Sequence, residues 1–195
     1  MKINERGFWE NNSTEGHGVD QGLMKGLADF FHSNSYHKVV IDIGCGEGSY
    51  TKYLNEHGIY CEGYDGNRYT PVITNGLCHV ADFSQEQHLG SYEWAMCLEV
   101  AEHIPAKYED IFLDNLHRHN VDGIVISWSI PEFGGDGHVN PKPNSYVIDK
   151  FISMGYLYDE NSTTILRYSC AEYPNPCWWF GHTIFVFRKG EVNGL

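Results

Sequence analysis

Short apolar, β-branched runs alternate along this chain with longer stretches whose apolar residues recur at helical spacing. Val39, Val40 and Ile41 form one such run, predict a buried strand, and are closed by Asp42. Gly44, Gly46 and Gly48 follow, with Cys45 and Glu47 between them. Tyr50, Thr51, Tyr53 and Leu54 then open a helix that Gly58 stops near His57. Residues 59–64 predict a second strand ending at Asp65, and residues 78–81 a third ending at Asp82. Residues 91–98 and 121–128 predict the fourth and fifth. Before the first strand, Val19, Leu23, Leu27, Phe30 and Phe31 mark an amphipathic helix ending near Ser33. Helices are also predicted from Ala106 to Leu116 and over 145–154, and closing strands over 163–169 and 182–188.

That alternation predicts an α/β fold with a mostly parallel sheet and right-handed crossovers. At 195 residues the chain suits one domain. A hydrophobic fraction of 42% suits a globular core. The formal charge of −13, from 26 acids against 13 bases, repels phosphate backbones and disfavours nucleic acid as a partner. No run approaches the ~20 apolar residues of a membrane span, and no signal-peptide apolar region follows Met1. No cysteine pair has C-x-x-C spacing, so the six read as buried, reduced thiols of a cytoplasmic protein. Cys170, Cys177 and His182 match no common zinc spacing, and no metal is expected. His32, His37, His57, His117 and His119 read as surface or helix-end residues.

A glycine corner between strand and helix lets a ligand approach the backbone and meet the N–H groups of a helix start. The spacing here is G-x-G-x-G, not the G-x-G-x-x-G of dinucleotide enzymes. Parallel strands place their C-terminal tips along one edge, where ligands of open α/β sheets bind. Asp42, Asp65 and Asp82 each end a strand there, and a carboxylate after the second strand suits ribose hydroxyls.

Together these features resemble the class I S-adenosylmethionine-dependent methyltransferases. Residues 42–48, Asp-Ile-Gly-Cys-Gly-Glu-Gly, look like their first motif, Tyr64-Asp65-Gly66-Asn67 like the acidic second, and Ala81-Asp82-Phe83 like the adenine-side motif. Glu99-Val100-Ala101-Glu102-His103-Ile104-Pro105 is similar to the E-V-x-E-H-x-P segment of small-molecule O-methyltransferases. The resemblance implies a Rossmann-like, seven-stranded, mostly parallel sheet with helices on both faces and a C-terminal antiparallel hairpin. It divides the chain into an N-terminal segment and helix over the cofactor mouth, residues 1–36, and a methyltransferase domain, residues 37–195. S-adenosylmethionine is then the cofactor, bound through Asp42, Gly44, Cys45, Gly46, Asp65, Gly66, Asn67, Asp82, Phe83 and Glu99.

Glu99, Glu102 and His103 follow the fourth strand on the cofactor side, and a glycine-rich loop after the fifth brings His138 and Asn140 to the same edge. Histidine, with a reference pKa of ~6.5, suits a general base at pH 7, so His103 and His138 are the catalytic candidates. His17, Glu102 and Asn140 are the candidates for substrate contact. The expected reaction is methyl transfer to a small-molecule acceptor, at a hydroxyl oxygen of a sugar or phenol. A protein or nucleic-acid acceptor, and a non-catalytic cofactor-binding module, are the alternatives; the N/D-P-P-Y/F motif of base-modifying enzymes is lacking after the fourth strand. The aromatic, proline-rich stretch 172–180 reads as pocket wall, core or homodimer interface.

Overall fold

The structure, a computed structural model, describes residues 3–10, 12, 18–170 and 177–190. The chain runs α1 (Gln21–Asn34), β1 (Val39–Ile43), α2 (Ser49–Glu56), β2 (Tyr60–Asp65), α3 (Thr70–Ile73), β3 (His79–Val80) and β4 (Tyr92–Cys97). It continues through α4 (Glu109–Arg118), β5 (Asn120–Ser127), α5 (Asn144–Ser153), β6 (Tyr156–Tyr158), α6 (Glu160–Ser169), α7 (Phe180–Thr183) and β7 (Ile184–Lys189). Among the described residues seven strands form one sheet, in the order β3-β2-β1-β4-β5-β7-β6. The pairs from β3 through β5 are parallel, and β7 runs antiparallel to both β5 and β6. The chain leaves β1 toward one edge and returns at β4 toward the other. A crevice therefore opens at the C-terminal ends of β1 and β4.

The strands alternate side chains strictly between two cores. Ile41, Ile43, Ala95, Cys97, Ile124, Ile126, Phe185 and Phe187 face one side, against Phe112, Leu113 and Leu116 of α4 and Val147 and Phe151 of α5. Val40, Trp94, Met96, Val125, Ile184 and Val186 face the other, against Leu23, Leu27 and Phe31 of α1, Leu54 of α2 and Leu166 of α6. The period of two along each strand makes this sorting automatic once both faces are covered. Five of the six cysteines are buried, and Cys45 is partly exposed.

Two closing elements differ from the expected ones. Residues 163–169 belong to helix α6, not to a strand. The Asp159 side chain caps it by accepting the Ser162 N–H at 2.9 Å, and Ser162, Thr163 and Leu166 then bury one helical face. The β-branched run Thr163-Thr164-Ile165 carries a strand propensity that this cap and packing override. The sixth strand is the three-residue Tyr156–Tyr158, so the antiparallel C-terminal pair is joined by helices rather than by a tight turn. His119 ends α4 as expected but is fully buried, its ring bridging the Asn115 carbonyl and the Leu89 N–H.

Glu93, pointing inward from β4, ties α1 to β1. Its carboxylate accepts the Ser35 hydroxyl, the His37 N–H at 2.7 Å and the Val39 N–H at 3.4 Å. These donors lie in the turn between helix and strand, where no ladder satisfies them. Glu93→Ala is expected to cost about 2–3 kcal/mol, since it leaves the buried Ser35 hydroxyl and two partly buried N–H groups without an acceptor. Urea unfolding checks this; a midpoint unchanged from wild type would show the turn to be held by packing alone.

Candidate active site

A cavity of about 530 Å³ opens at the C-terminal edge of β1, β2 and β4. Asp42, Asp65 and Asp82 all line it, with Gly44, Cys45, Gly46, Gly66, Asn67, Phe83, Glu99, His103 and His138. The three acid tips thus share one crevice, as their positions after successive parallel strands require.

The glycine corner has the backbone its sequence calls for. Gly44, Gly46 and Gly48 take φ of 79°, 55° and 77°. The Gly44 and Cys45 N–H groups both donate to the Tyr64 carbonyl, at 2.7 and 3.0 Å, pinning the corner to β2. A Cβ on Gly44 would lie 2.2 Å from a methyl of Val100. Asp65 braces the same corner: one carboxylate oxygen accepts the Gly46 N–H at 3.0 Å, the other the Asn67 N–H at 2.8 Å. Asn67 in turn accepts the Tyr69 N–H and so also caps the following turn.

Asp42 is buried and bonded to the Thr51 hydroxyl at 2.6 Å. Burial, reinforced by Asp65, pushes its pKa up to about 7. Asp82 accepts the Ser84 N–H and hydroxyl, the Gln85 amide and the Arg6 guanidinium, which hold it below the usual range despite partial burial. Glu99 sits at φ 57°, a left-handed conformation that costs a non-glycine residue strain. A hydroxyl clasp offsets it, with Ser127 Oγ accepting the Glu99 N–H and donating to Oε1, each at 2.7 Å. Burial raises the Glu99 pKa to about 7.

His103 and His138 line the cavity, and the buried Glu102 lies beside them. Glu102 is fully buried, and burial, then the neighbouring Glu99, pushes its carboxyl well up. The two imidazoles meet edge to face, with centroids 4.9 Å apart. Burial, then His138, lowers the His103 pKa to about 4, and burial lowers that of His138. Both rings are therefore neutral at pH 7. Gly134, Gly135 and Gly137 all have positive φ, and a Cβ on Gly135 would strike the His138 ring. Those glycines fold the loop tightly enough to return His138 to the cavity.

Asn140 does not reach it. Its amide donates to Glu109 at 2.8 Å, its carbonyl accepts the Trp128 indole, and its N–H bonds the Glu102 carbonyl. The residue is a buried brace behind the site rather than a substrate contact. His17 lies outside the described residues. Helix α1 packs on the sheet face, and the cavity wall before it comes from Gly18 and Val19.

Sequence reasoning missed the strap formed by residues 3–9. Ile3 and Trp9 pair antiparallel, and Gly7 turns between them at φ 98°. Arg6 reaches Asp82, Phe8 lies on Gly66, Gly7 rests on the His103 carbonyl, and Trp9 meets the His103 ring edge-on. Its legible signal is the Phe8-Trp9 pair in a largely polar stretch. Trp178, Trp179 and Phe180 complete the wall, so the described end of the aromatic stretch lines the pocket; residues 171–176 lie outside the described residues.

Residues 16–130 match the family described as "Methyltransferase domain". The chain belongs to this family. No curated protein sequence matches it. Among solved structures, the methyltransferase fold recurs in the sugar N-methyltransferase KedS8 from Streptoalloteichus sp ATCC 53650, with TM-score 0.65, 12% identity, and 98% and 99% of the two chains covered. It recurs in the magnesium protoporphyrin IX methyltransferase of Synechocystis PCC 6803 with bound SAM, with TM-score 0.64, 13% identity, and 92% and 89% covered. The amino pentose methyltransferase CalS10 from Micromonospora echinaspora gives 0.64, 13%, and 90% and 93%.

The glycine corner and Asp42 each carry a prediction for this methyltransferase. Gly44→Ala adds a Cβ against Val100 at a φ that disfavours alanine, and should weaken cofactor binding at least about tenfold. Calorimetric titration with S-adenosylhomocysteine checks this, and wild-type affinity would refute the close-approach role. Second, folding raises Asp42 from 3.8 to about 7. Between those values the folded chain holds a proton that the unfolded chain has released, so this group's contribution to stability falls as pH rises. Asp42→Asn keeps the Thr51 bond without the charge. Its melting temperature should gain on wild type from pH 4 to 7, by about 2–4 °C per kcal/mol, and then level off.

Proposed function

We propose that this methyltransferase uses S-adenosylmethionine to methylate a hydroxyl oxygen of a small molecule. The observation that carries the reading is the convergence of Asp42, Asp65 and Asp82 on one cavity beside a positive-φ glycine corner. The cradle fits the cofactor: Gly44 has no room for a Cβ beside Val100, Gly46 takes a positive φ, and Asp65 offers a carboxylate for the ribose. Gly66 and Asn67 border the ribose, and Asp82 with Phe83 flanks the adenine. Cys45 and Glu99 border the methionine part. When bound, the cofactor supplies an electrophilic methyl group on a cationic sulfur, which leaves as a neutral thioether once the acceptor oxygen takes the methyl.

The chain's own residues do the rest. Asp42 and Glu99 present carboxyl groups poised near neutrality to the sulfonium end. Trp178, Trp179 and Phe180 wall the cleft and exclude water around the acceptor. His103 and His138, neutral at pH 7, face the acceptor and receive its hydroxyl proton. Alignment of acceptor and methyl in one rigid cleft supplies up to ~7–11 kcal/mol of the barrier reduction. The sugar, porphyrin and amino pentose acceptors named for the structural neighbours agree with a small-molecule acceptor, and the formal charge of −13 disfavours nucleic acid. A homodimer and a cytoplasmic setting fit this reading; among the described residues no helix is long and apolar enough to cross a membrane.

Titration with S-adenosylmethionine and, separately, NAD tests the cofactor. The former should bind, NAD should not, and Asp65→Asn should weaken binding at least about tenfold by removing a charge-assisted ribose contact. A screen of hydroxylated acceptors with methyl-labelled cofactor identifies the substrate class. Tight NAD binding without S-adenosylmethionine binding would overturn the reading.

A further inference from the structure

Among the described residues, Glu102 is the carboxyl left with both oxygens buried and unsatisfied. The residue is fully buried, yet neither carboxylate oxygen has a hydrogen-bond partner. A buried carboxyl in that condition carries a cost of several kcal/mol unless something pairs with it. What faces it is two imidazoles and the Glu99 carboxyl. His138 Nε2 lies 4.0 Å from Glu102 Oε1, and His138 Nδ1 is itself buried without a partner. One atom each of Glu102, His103 and His138 lie within 4.8 Å of one another.

We propose that Glu102, His103 and His138 form a binding site for one divalent first-row transition-metal ion, beside the acceptor end of the cleft. The donor set is one carboxylate oxygen and two imidazole nitrogens. That set suits Mn²⁺, Fe²⁺, Co²⁺ or Zn²⁺ better than Ca²⁺ or Mg²⁺, which prefer oxygen alone. Metal–ligand bonds of about 2.0–2.2 Å require donors roughly 3–3.5 Å apart, so side-chain rotation of about an ångström closes the set.

The supporting contacts are those of a ligand cluster. His103 Nδ1 lies 3.2 Å from the Gly137 carbonyl; donation of that N–H leaves the Nε2 lone pair for a cation. The Glu102 carbonyl accepts the Val139 and Asn140 N–H groups at 2.9 and 2.8 Å. The loop bearing His138 is thereby clamped to the turn bearing Glu102. Asn140, the brace behind the site, anchors that clamp to Glu109. Glu99 stands beside Glu102 as a further carboxylate.

The ion's role rests on the methyltransferase reading; its binding does not. Three protein ligands leave positions for an acceptor oxygen, and coordination lowers the pKa of a bound hydroxyl. The hydroxyl proton then passes to solvent at the cleft mouth. The oxygen's electron pair forms the new bond to the methyl group, and the pair of the broken carbon–sulfur bond stays on sulfur. With the ion bound the imidazoles act as ligands, and this replaces the general-base role given them in the metal-free reading.

The test uses the full chain, stripped with a chelator and titrated with Co²⁺ by visible absorption, with S-adenosylhomocysteine binding measured in parallel. One equivalent should bind, Zn²⁺ should displace it, and Co²⁺ should raise the melting temperature. Glu102→Gln and His138→Asn should each weaken Co²⁺ at least about tenfold, and exposed His32→Asn should not. His138→Asn, on a loop, guards against a folding defect in Glu102→Gln. No Co²⁺ binding, or binding insensitive to both substitutions, overturns the site. Cofactor binding without Co²⁺ binding removes the metal and leaves the methyltransferase reading. Co²⁺ binding lost in both variants, without cofactor binding, keeps the metal and removes that reading.

Discussion

Carboxyl groups of Asp42, Asp65, Glu99 and Glu102 stand close together at the C-terminal ends of β1, β2 and β4, in a setting that burial makes hostile to negative charge. Each must find a proton, a donor or a cation. Asp65 finds the N–H groups of Gly46 and Asn67, and Asp42 and Glu99 find hydroxyls of Thr51 and Ser127. Glu102 finds none. This gradient of satisfaction runs along the crevice: the acid at the tip of β2 is satisfied within the chain itself, and Glu102 after β4 is not.

The scaffold holds those acids at fixed spacing because the strands beneath them are rigid. Two cores clamp the sheet from both sides, and β4 and β5 are buried through most of their length. Trp94 fills one face beside Gly123, whose missing Cβ lets the indole lie on β5. A sheet packed this closely does not let neighbouring tips drift apart. The strain of Glu99 at φ 57° is tolerated for the same reason: β4 and Ser127 over-determine it.

Mobile-looking parts of the sequence turn out to be built onto that edge. The glycine loop after β5 folds back through three positive-φ residues to deliver His138. The strap at residues 3–9 spans from Asp82 to His103, touching the acid with Arg6 and the histidine with Trp9. Opposite ends of the cleft are thus bridged by one short segment far from both in sequence.

Much of this was legible in the chain. Local pattern determined the first five strands, the glycine corner, the acids at the strand tips and the helices α1, α2, α4 and α5, because apolar periodicity and glycine placement act over a few residues. Glu102, His103 and His138 could be named as belonging to one edge, since parallel strands send their tips the same way. Tertiary structure alone decided the rest. It made residues 163–169 a helix, because the Asp159 cap and burial of Leu166 outweigh a β-branched run. It turned Asn140 inward to Glu109 and laid Arg6 on Asp82 across 76 positions of chain. Such partners are set by where the fold brings distant segments into contact, and no local spacing encodes that.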